Sequence, residues 1–166
     1  IGHSARDTFA MLAGKNIPME KKAFAVGVRI EHPQALINED QYGKDYLRSL
    51  PAASYKLTRK ASGGRGVYSF CMCPGGYVVN ASSEEGLLAV NGMSYQARDG
   101  RNANSAMIVT VRPEDFGGSD VLAGMEFQRR LERAAYRAGE GQVPVQPLTH
   151  SQNRQISRCL GDVAPC

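Results

Sequence analysis

Cys71 and Cys73 are the side chains of this 166-residue chain whose type and spacing most invite chemistry. A thiolate is a nucleophile, a redox partner and a metal ligand, provided its surroundings lower its pKa. The two thiols lie in GVYSFCMC (Gly66–Cys73), which runs into Pro74-Gly75-Gly76. At period two, Val67, Ser69, Cys71 and Cys73 share one strand face, so both thiols could meet one ligand. A disulfide between them is geometrically awkward in extended chain. With Tyr77, Val78 and Val79 resuming the pattern, the stretch predicts a hairpin with a three-residue, Gly-bearing loop. A loop nearly free of side chains lets a flat ligand or another backbone approach closely. It is equally what a tight hairpin with small buried residues looks like.

Two further groups carry polar chemistry. Gly2–Phe9 (GHSARDTF) reads as a helix start, with Ser4 capping and Asp7 favoured by the N-terminal field. Such a terminus with His3, Ser4 and Arg6 beside it could hold an anion, or be a capped surface helix and nothing more. Asn91–Ala106 (NGMSYQARDGRNANSA) reads as a long polar loop of amides and guanidinium groups, suited to fixing carbonyls, phosphates and carboxylates. The alternative is a loop satisfied by its own Asx turns.

These groups need elements to position them. A short helix with Phe9 and Leu12 on its apolar face ends at Gly14. Ala23–Glu31 alternates, with Phe24, Val26, Val28 and Ile30 on one face, which predicts a half-buried strand. Gly27, on the other face, predicts close approach of a second backbone. His32-Pro33 opens a short helix to about Asn38 with Pro at its first position, and His32 reads as a capping or packing residue. Tyr42–Leu50 is a short helix or irregular turn ended by Pro51. Tyr55–Arg59 is a strand, Ala61–Gly66 its turn, and Leu87–Val90 and Met107–Val111 are further strands. Ser119–Ala138 is a long helix capped by Ser119 or Asp120, striped by Leu122, Met125 and Leu131, and stopped by Gly139. It carries a Glu126–Arg130 ion pair and reads as scaffold. Val143–Pro147 is extended and suited to a sheet edge. The expected fold is α+β: a mostly antiparallel mixed sheet, one long amphipathic helix and short flanking helices in a single domain, residues 1–166.

Composition narrows the function classes. A net charge of +4 with no Lys/Arg block leaves Lys21-Lys22 and Arg129-Arg130 as solvated surface and argues against nucleic acid. No apolar run approaches the ~20 residues of a membrane span. Four cysteines (Cys71, Cys73, Cys159, Cys166) with Cys-x-Cys spacing and no His close by do not read as a metal site. Reduced thiols in a cytoplasmic protein are the expectation. The Gly63, Gly64, Gly66 cluster lacks G-x-G-x-x-G spacing and precedes a strand, so no dinucleotide fingerprint is present. A first residue that is not Met and a polar tail, Gly141–Cys166, give both ends the look of a piece cut from something longer.

Several long strings belong together: GHSARDTF (Gly2–Phe9), FAVGVRIEHPQ (Phe24–Gln34), QYG (Gln41–Gly43), LPAASYKL (Leu50–Leu57), GVYSFCMCPGG (Gly66–Gly76), NGMSYQARDGRNANSA and GMEFQRRLE (Gly124–Glu132). In this order the chain resembles bacterial FAD-dependent dehydrogenases often labelled "NAD-utilizing dehydrogenases", related to two-dinucleotide-fold flavoproteins. The resemblance spans nearly the whole chain. It implies an inserted substrate or cap domain excised from a larger enzyme, with residues 141–166 leading back toward a missing flavin-binding half. That half is the implied partner, FAD the implied cofactor, NAD(P) a possible second one, and a small molecule the substrate. The resemblance makes Cys71 and Cys73 the candidate catalytic groups. It places Met72, Pro74, Gly75 and Gly76 toward the flavin, and makes His3, Ser4 and Arg6, near the domain junction with Asp7, flavin-facing candidates as well. Arg98, Asn102, Asn104 and Ser105 are the candidates for orienting a polar substrate. Two readings compete with this one: a stand-alone module binding a small polar or anionic ligand, and a metal or redox switch built on the four cysteines.

Overall fold

The computed structural model describes residues 2–46, 49–148 and 159–160. Most of the C-terminal segment expected to run extended, and Cys166 with it, lies outside the described residues. The fold is α+β with antiparallel pairing, as the sequence predicts. It divides into two compact units. One takes in residues up to Phe24, Ser82–Ala89 and residues from Val111; the other takes in Ala25–Ala81 and Val90–Thr110.

The first unit is helical. Helix α1 spans Arg6–Gly14, α3 Pro113–Phe116 and α4 Ala123–Ala138. Ser4 does not cap α1: the N-cap is Ala5, with no side-chain bond. Asp7 turns instead to the Thr8 N–H at 2.8 Å. Helix α4 starts later than its cap signal, and Asp120 accepts the Leu122 N–H at 2.8 Å just ahead of it. At the far end Gly139 is required, because a Cβ there would lie 1.8 Å from the Gln142 carbonyl oxygen. The expected Glu126–Arg130 pair is replaced by Glu126–Arg129 at 2.6 Å, while Arg130 sits over the Phe127 ring. Phe24, Phe116 and Phe127 form a ring cluster with centroids 5.4–6.2 Å apart. Leu87, Leu88 and Val111 are buried. Pro144–Val145 (β7) pairs with Cys159–Leu160 (β8) as a separate two-stranded ribbon, not at the edge of a larger sheet as its extended sequence suggests.

The second unit is a four-stranded sheet with a separate ribbon. Strands β1 (Phe24–Pro33), β2 (Thr58–Lys60), β3 (Gly66–Cys73) and β6 (Asn102–Val111) lie in the order β1-β6-β3-β2. Strands β4 (Gly76–Asn80) and β5 (Val90–Ser94) pair only with each other. The predicted β3–β4 hairpin is therefore absent. Strand β6 pairs along β3 from Val67 to Cys73 and β2 with Gly66–Tyr68, while β4 takes β5 as its partner. The long polar loop also contracts, since Val90–Ser94 and Asn102–Val111 are strands. Helix α2 (Gln34–Tyr42) follows β1, with Pro33 at the N-cap, one position earlier than expected. Gly27 behaves as its sequence predicts: a Cβ there would lie 1.9 Å from the Met107 carbonyl oxygen. Val28, assigned by alternation to the half-buried face, is exposed.

Candidate functional site

In the second unit, β3 bends at the thiols. Phe70 pairs with Ala106 and Cys73 with Asn104, so an extra residue bulges from β3 and the side-chain alternation inverts across it. Cys73 thus falls into register with Phe70, not with Ser69, and the shared face expected for Cys71 and Cys73 is lost. Cys71 takes φ +46°, a left-handed conformation uncommon outside glycine. Both thiols are free; Cys71 is exposed and Cys73 half-buried, its Sγ 3.3 Å from the Cys71 carbonyl oxygen. That carbonyl also accepts from Arg29 Nη2 at 2.8 Å. Met72 is half-buried beside them.

Pro74, Gly75 and Gly76 are buried beneath this bulge. A Cβ on Gly75 would meet the Arg98 carbonyl oxygen at 1.9 Å, and one on Gly76 would meet that of Met93 at 2.4 Å. The space that these glycines leave is filled by the chain's own backbone. Gln34, a buried residue the sequence did not single out, ties the turn down. Its Oε1 accepts the Gly75 N–H at 2.8 Å, and its Nε2 donates to Asn38 Oδ1 and the Ala53 carbonyl at 2.8 and 2.9 Å. Ser94 Oγ donates to the Pro74 carbonyl at 2.7 Å. A Gln directly after Pro at a helix start was the available signal.

Of the substrate candidates, Arg98 is exposed, whereas Asn102, Asn104 and Ser105 lie buried in succession on β6. Asn102 donates to Glu31 at 2.6 Å, and Ser105 Oγ sits 3.3 Å from the Phe70 carbonyl oxygen. Tyr55 shares a 2.8 Å hydrogen bond with His32 Nε2. Burial pushes the Tyr55 hydroxyl above its ordinary pKa, with Ser105 and Arg29 pulling it part of the way back. Asn104 is fully buried, and neither its amide oxygen nor its amide nitrogen has a hydrogen-bond partner among the described residues.

His3, Ser4 and Arg6 belong to the first unit. Ser4 is exposed, but Arg6 is only 2% exposed and is the centre of a polar cluster. Its guanidinium reaches Glu132 at 2.6 and 2.8 Å and Glu84 at 2.9 Å. His3 Nε2 stands 2.9 Å from Glu132 Oε1, and Arg129 joins Glu84 to Glu126. The hydrogen bond to Glu132 raises the Arg6 pKa despite burial. Glu132, Gln128 and Arg129 all come from α4, which sequence read as scaffold alone. A cleft of about 420 Å3 in this unit is lined by His3, Arg6, Phe9, Phe24, Phe116 and Met125 among others.

Among the described residues no cluster of His, Cys, Asp and Glu could hold a metal, and no helix is long and apolar enough to cross a membrane. A dinucleotide pyrophosphate does not fit this chain either. Its site needs a Gly-rich turn opening a helix. Here Gly63, Gly64 and Gly66 lie in the β2–β3 connection, and Gly75 and Gly76 join two strands.

The model of a family described as "FAD-dependent protein, C-terminal domain-like" matches residues 23–166. An uncharacterized protein of Clostridium beijerinckii is 57% identical over 169 residues, covering 99% of this chain and 32% of the relative. The chain thus spans about a third of the length of the curated relative it matches.

Proposed function

We propose that this chain, which belongs to the FAD-dependent protein C-terminal domain-like family, forms the substrate side of an FAD-dependent oxidoreductase. The dinucleotide would be bound by segments outside it, in keeping with the absence of a pyrophosphate loop among the described residues and with the greater length of its relative. FAD, when bound, supplies a two-electron acceptor. A dehydrogenase using NAD(P) as well is the finer reading suggested by resemblance, and the matched family's description carries FAD alone.

The observation that carries the proposal is the thiol bulge. Cys71 is exposed on a positive-φ turn, its carbonyl held by Arg29, and Phe70 beside it is also exposed. Pro74, Gly75 and Gly76 support this edge from beneath, and Met72 and Cys73 flank it. Exposed thiol and aromatic groups on a braced backbone suit contact with a flat ring system. Cys71 and Cys73 are the candidate catalytic groups, and Asn102, Asn104 and Ser105 the polar floor, with Arg98 at the exposed rim.

The test is alkylation of Cys71 in the full-length protein, followed peptide by peptide by mass spectrometry. Cys71 should react at least tenfold more slowly in the flavin-loaded protein than after flavin removal. Equal rates, or purification of the full-length protein without FAD, would refute the reading.

A further inference from the structure

Strands β4 and β5 form a ribbon whose two faces differ. On the inner face Gly76 is buried, and a Cβ on Gly92 would run into Asn104 Oδ1 and the Arg29 guanidinium at 2.1 and 2.6 Å, so this side is packed against the unit's own side chains. On the outer face Tyr77 stands directly opposite Met93, and its ring meets that of Tyr95 edge-on with centroids 6.0 Å apart. Tyr77, Met93 and Tyr95 are 47, 54 and 70% exposed. Single exposed apolar residues are ordinary, whereas a contiguous group marks a contact surface. The strands themselves give a second sign. Among the described residues each pairs only with the other, so each keeps an unpaired edge, and neither GYVVN nor VNGMS carries a charge. Charged residues are the usual guard of an open edge against stray pairing. A ribbon without them needs a cover.

The position of the face and the length of the protein indicate the cover. The chain spans 32% of its relative, so most of that protein lies outside the matched stretch. The outer face begins at the turn that follows the thiol bulge. Tyr77 comes directly after Gly76, and a Cβ on Gly100 would lie 3.4 Å from the Tyr77 ring and 2.5 Å from the Gly75 carbonyl oxygen. Ser94, next to Met93, bonds to the Pro74 carbonyl at 2.7 Å. A polypeptide that brings a flavin to Cys71 and Phe70 must also cover the surface beside them. A small molecule is bound in a concavity, which a ribbon face does not offer. Tyrosine and methionine are instead enriched where polypeptides meet. We infer that the face formed by Tyr77, Met93 and Tyr95 is the docking surface for the flavin-carrying remainder of the full-length polypeptide. That the docked part carries flavin rests on the proposed function above; that polypeptide of the same chain covers this face rests on the ribbon and on the relative's length.

The experiment is peroxide oxidation of the full-length protein as purified, with Met93 sulfoxide followed by peptide mass spectrometry. Methionine oxidation follows access to solvent. A docked Met93 should oxidise at least about tenfold more slowly in the native protein than in urea, whereas a side chain left 54% exposed should stay within about twofold of the unfolded rate. The protection should survive flavin removal and dilution by about a hundredfold. Oxidation within about twofold of the unfolded rate would overturn the inference. So would protection that vanishes with the flavin, which would make the cofactor the occupant, or on dilution, which would make it a second copy. A benzophenone crosslinker at position 95 should attach to residues of the same chain outside these 166; attachment to these 166 alone would also overturn it. The oxidation needs no variant, so no failure to fold can obscure it. Failure of the flavin reading is separable, because it appears as a full-length protein without FAD, in which Met93 protection can still be read.

Discussion

Arg6 in the first unit and Arg29 in the second are held in different ways: Arg6 is buried, Arg29 half-buried. Arg6 meets two carboxylates at 2.6–2.9 Å, with His3 and Arg129 completing the cluster. Among the described residues Arg29 meets a single main-chain carbonyl, beside an amide without a partner. Arg6 Nε is buried without a partner among the described residues, but both terminal nitrogens meet carboxylates. A buried charge paired in this way holds elements in register, and removing one partner strands the others. A buried polar group left open costs stability and is retained where something else completes it. The contrast assigns Arg6 to architecture and leaves Asn104 as a buried amide with both polar atoms unpaired among the described residues.

The largest expected effect tests the closed centre. Arg6→Met strips Glu132 and Glu84 of their counter-charge and should destabilise the protein by about 3–5 kcal/mol in denaturant unfolding. Arg29→Met should cost under about 1 kcal/mol, as expected for a group outside a paired network. Comparable losses would erase the distinction. Gly27→Ala comes next. Its Cβ would run into the backbone at Met107 and Ile108, which cannot move without shifting β6, so a loss of about 1–3 kcal/mol is expected.

Acid should act on the closed centre. Burial pushes the Glu84 carboxyl up, but Arg6 and Arg129 outweigh it and hold the pKa below the ordinary 4.5. A depressed folded-state pKa contributes stability that is present above 4.5 and lost as pH falls through the lower folded value. Unfolding midpoints measured downward from pH ~5 should therefore fall less steeply in Glu84→Gln than in wild type. The smallest effect is Ser4→Ala, which should stay within about 0.5 kcal/mol because no cap bond exists to lose. A loss near the ~1 kcal/mol of a true N-cap would restore the capping box that the sequence suggested.

Much of the fold was legible because its signals are local. The apolar alternation of Phe24–Ile30 yielded β1, Gly27 announced the close approach of β6, and Gly139 marked the end of α4. Pro74-Gly75-Gly76 announced a chain reversal equally well, but a turn does not say which strand its neighbour will pair with. Strand β4 pairs with β5, ten residues further on, a choice that no local signal carries. The thiols were found by residue type, while their faces were misassigned because a one-residue bulge inverts alternation and leaves no mark in GVYSFCMC. Asn102–Ser105 read as loop because hydrophobic periodicity cannot see a strand made of buried polar residues. Its partners, Glu31 and Phe70, are distant in sequence. Arg6 drew notice as an anion-binding candidate. Its acids, Glu84 and Glu132, lie 78 and 126 residues away and were invisible to any local pattern.

The contrast between the two centres is tested most directly by the unfolding free energy of Asn104→Ala. Removing a buried amide that has no partner among the described residues relieves a cost of about 1–3 kcal/mol, against a small cavity penalty. The expected result is unchanged stability or a gain of up to about 1 kcal/mol. A loss of about 2 kcal/mol or more would mean that the amide is paired in solution, and that the second centre is as closed as the first.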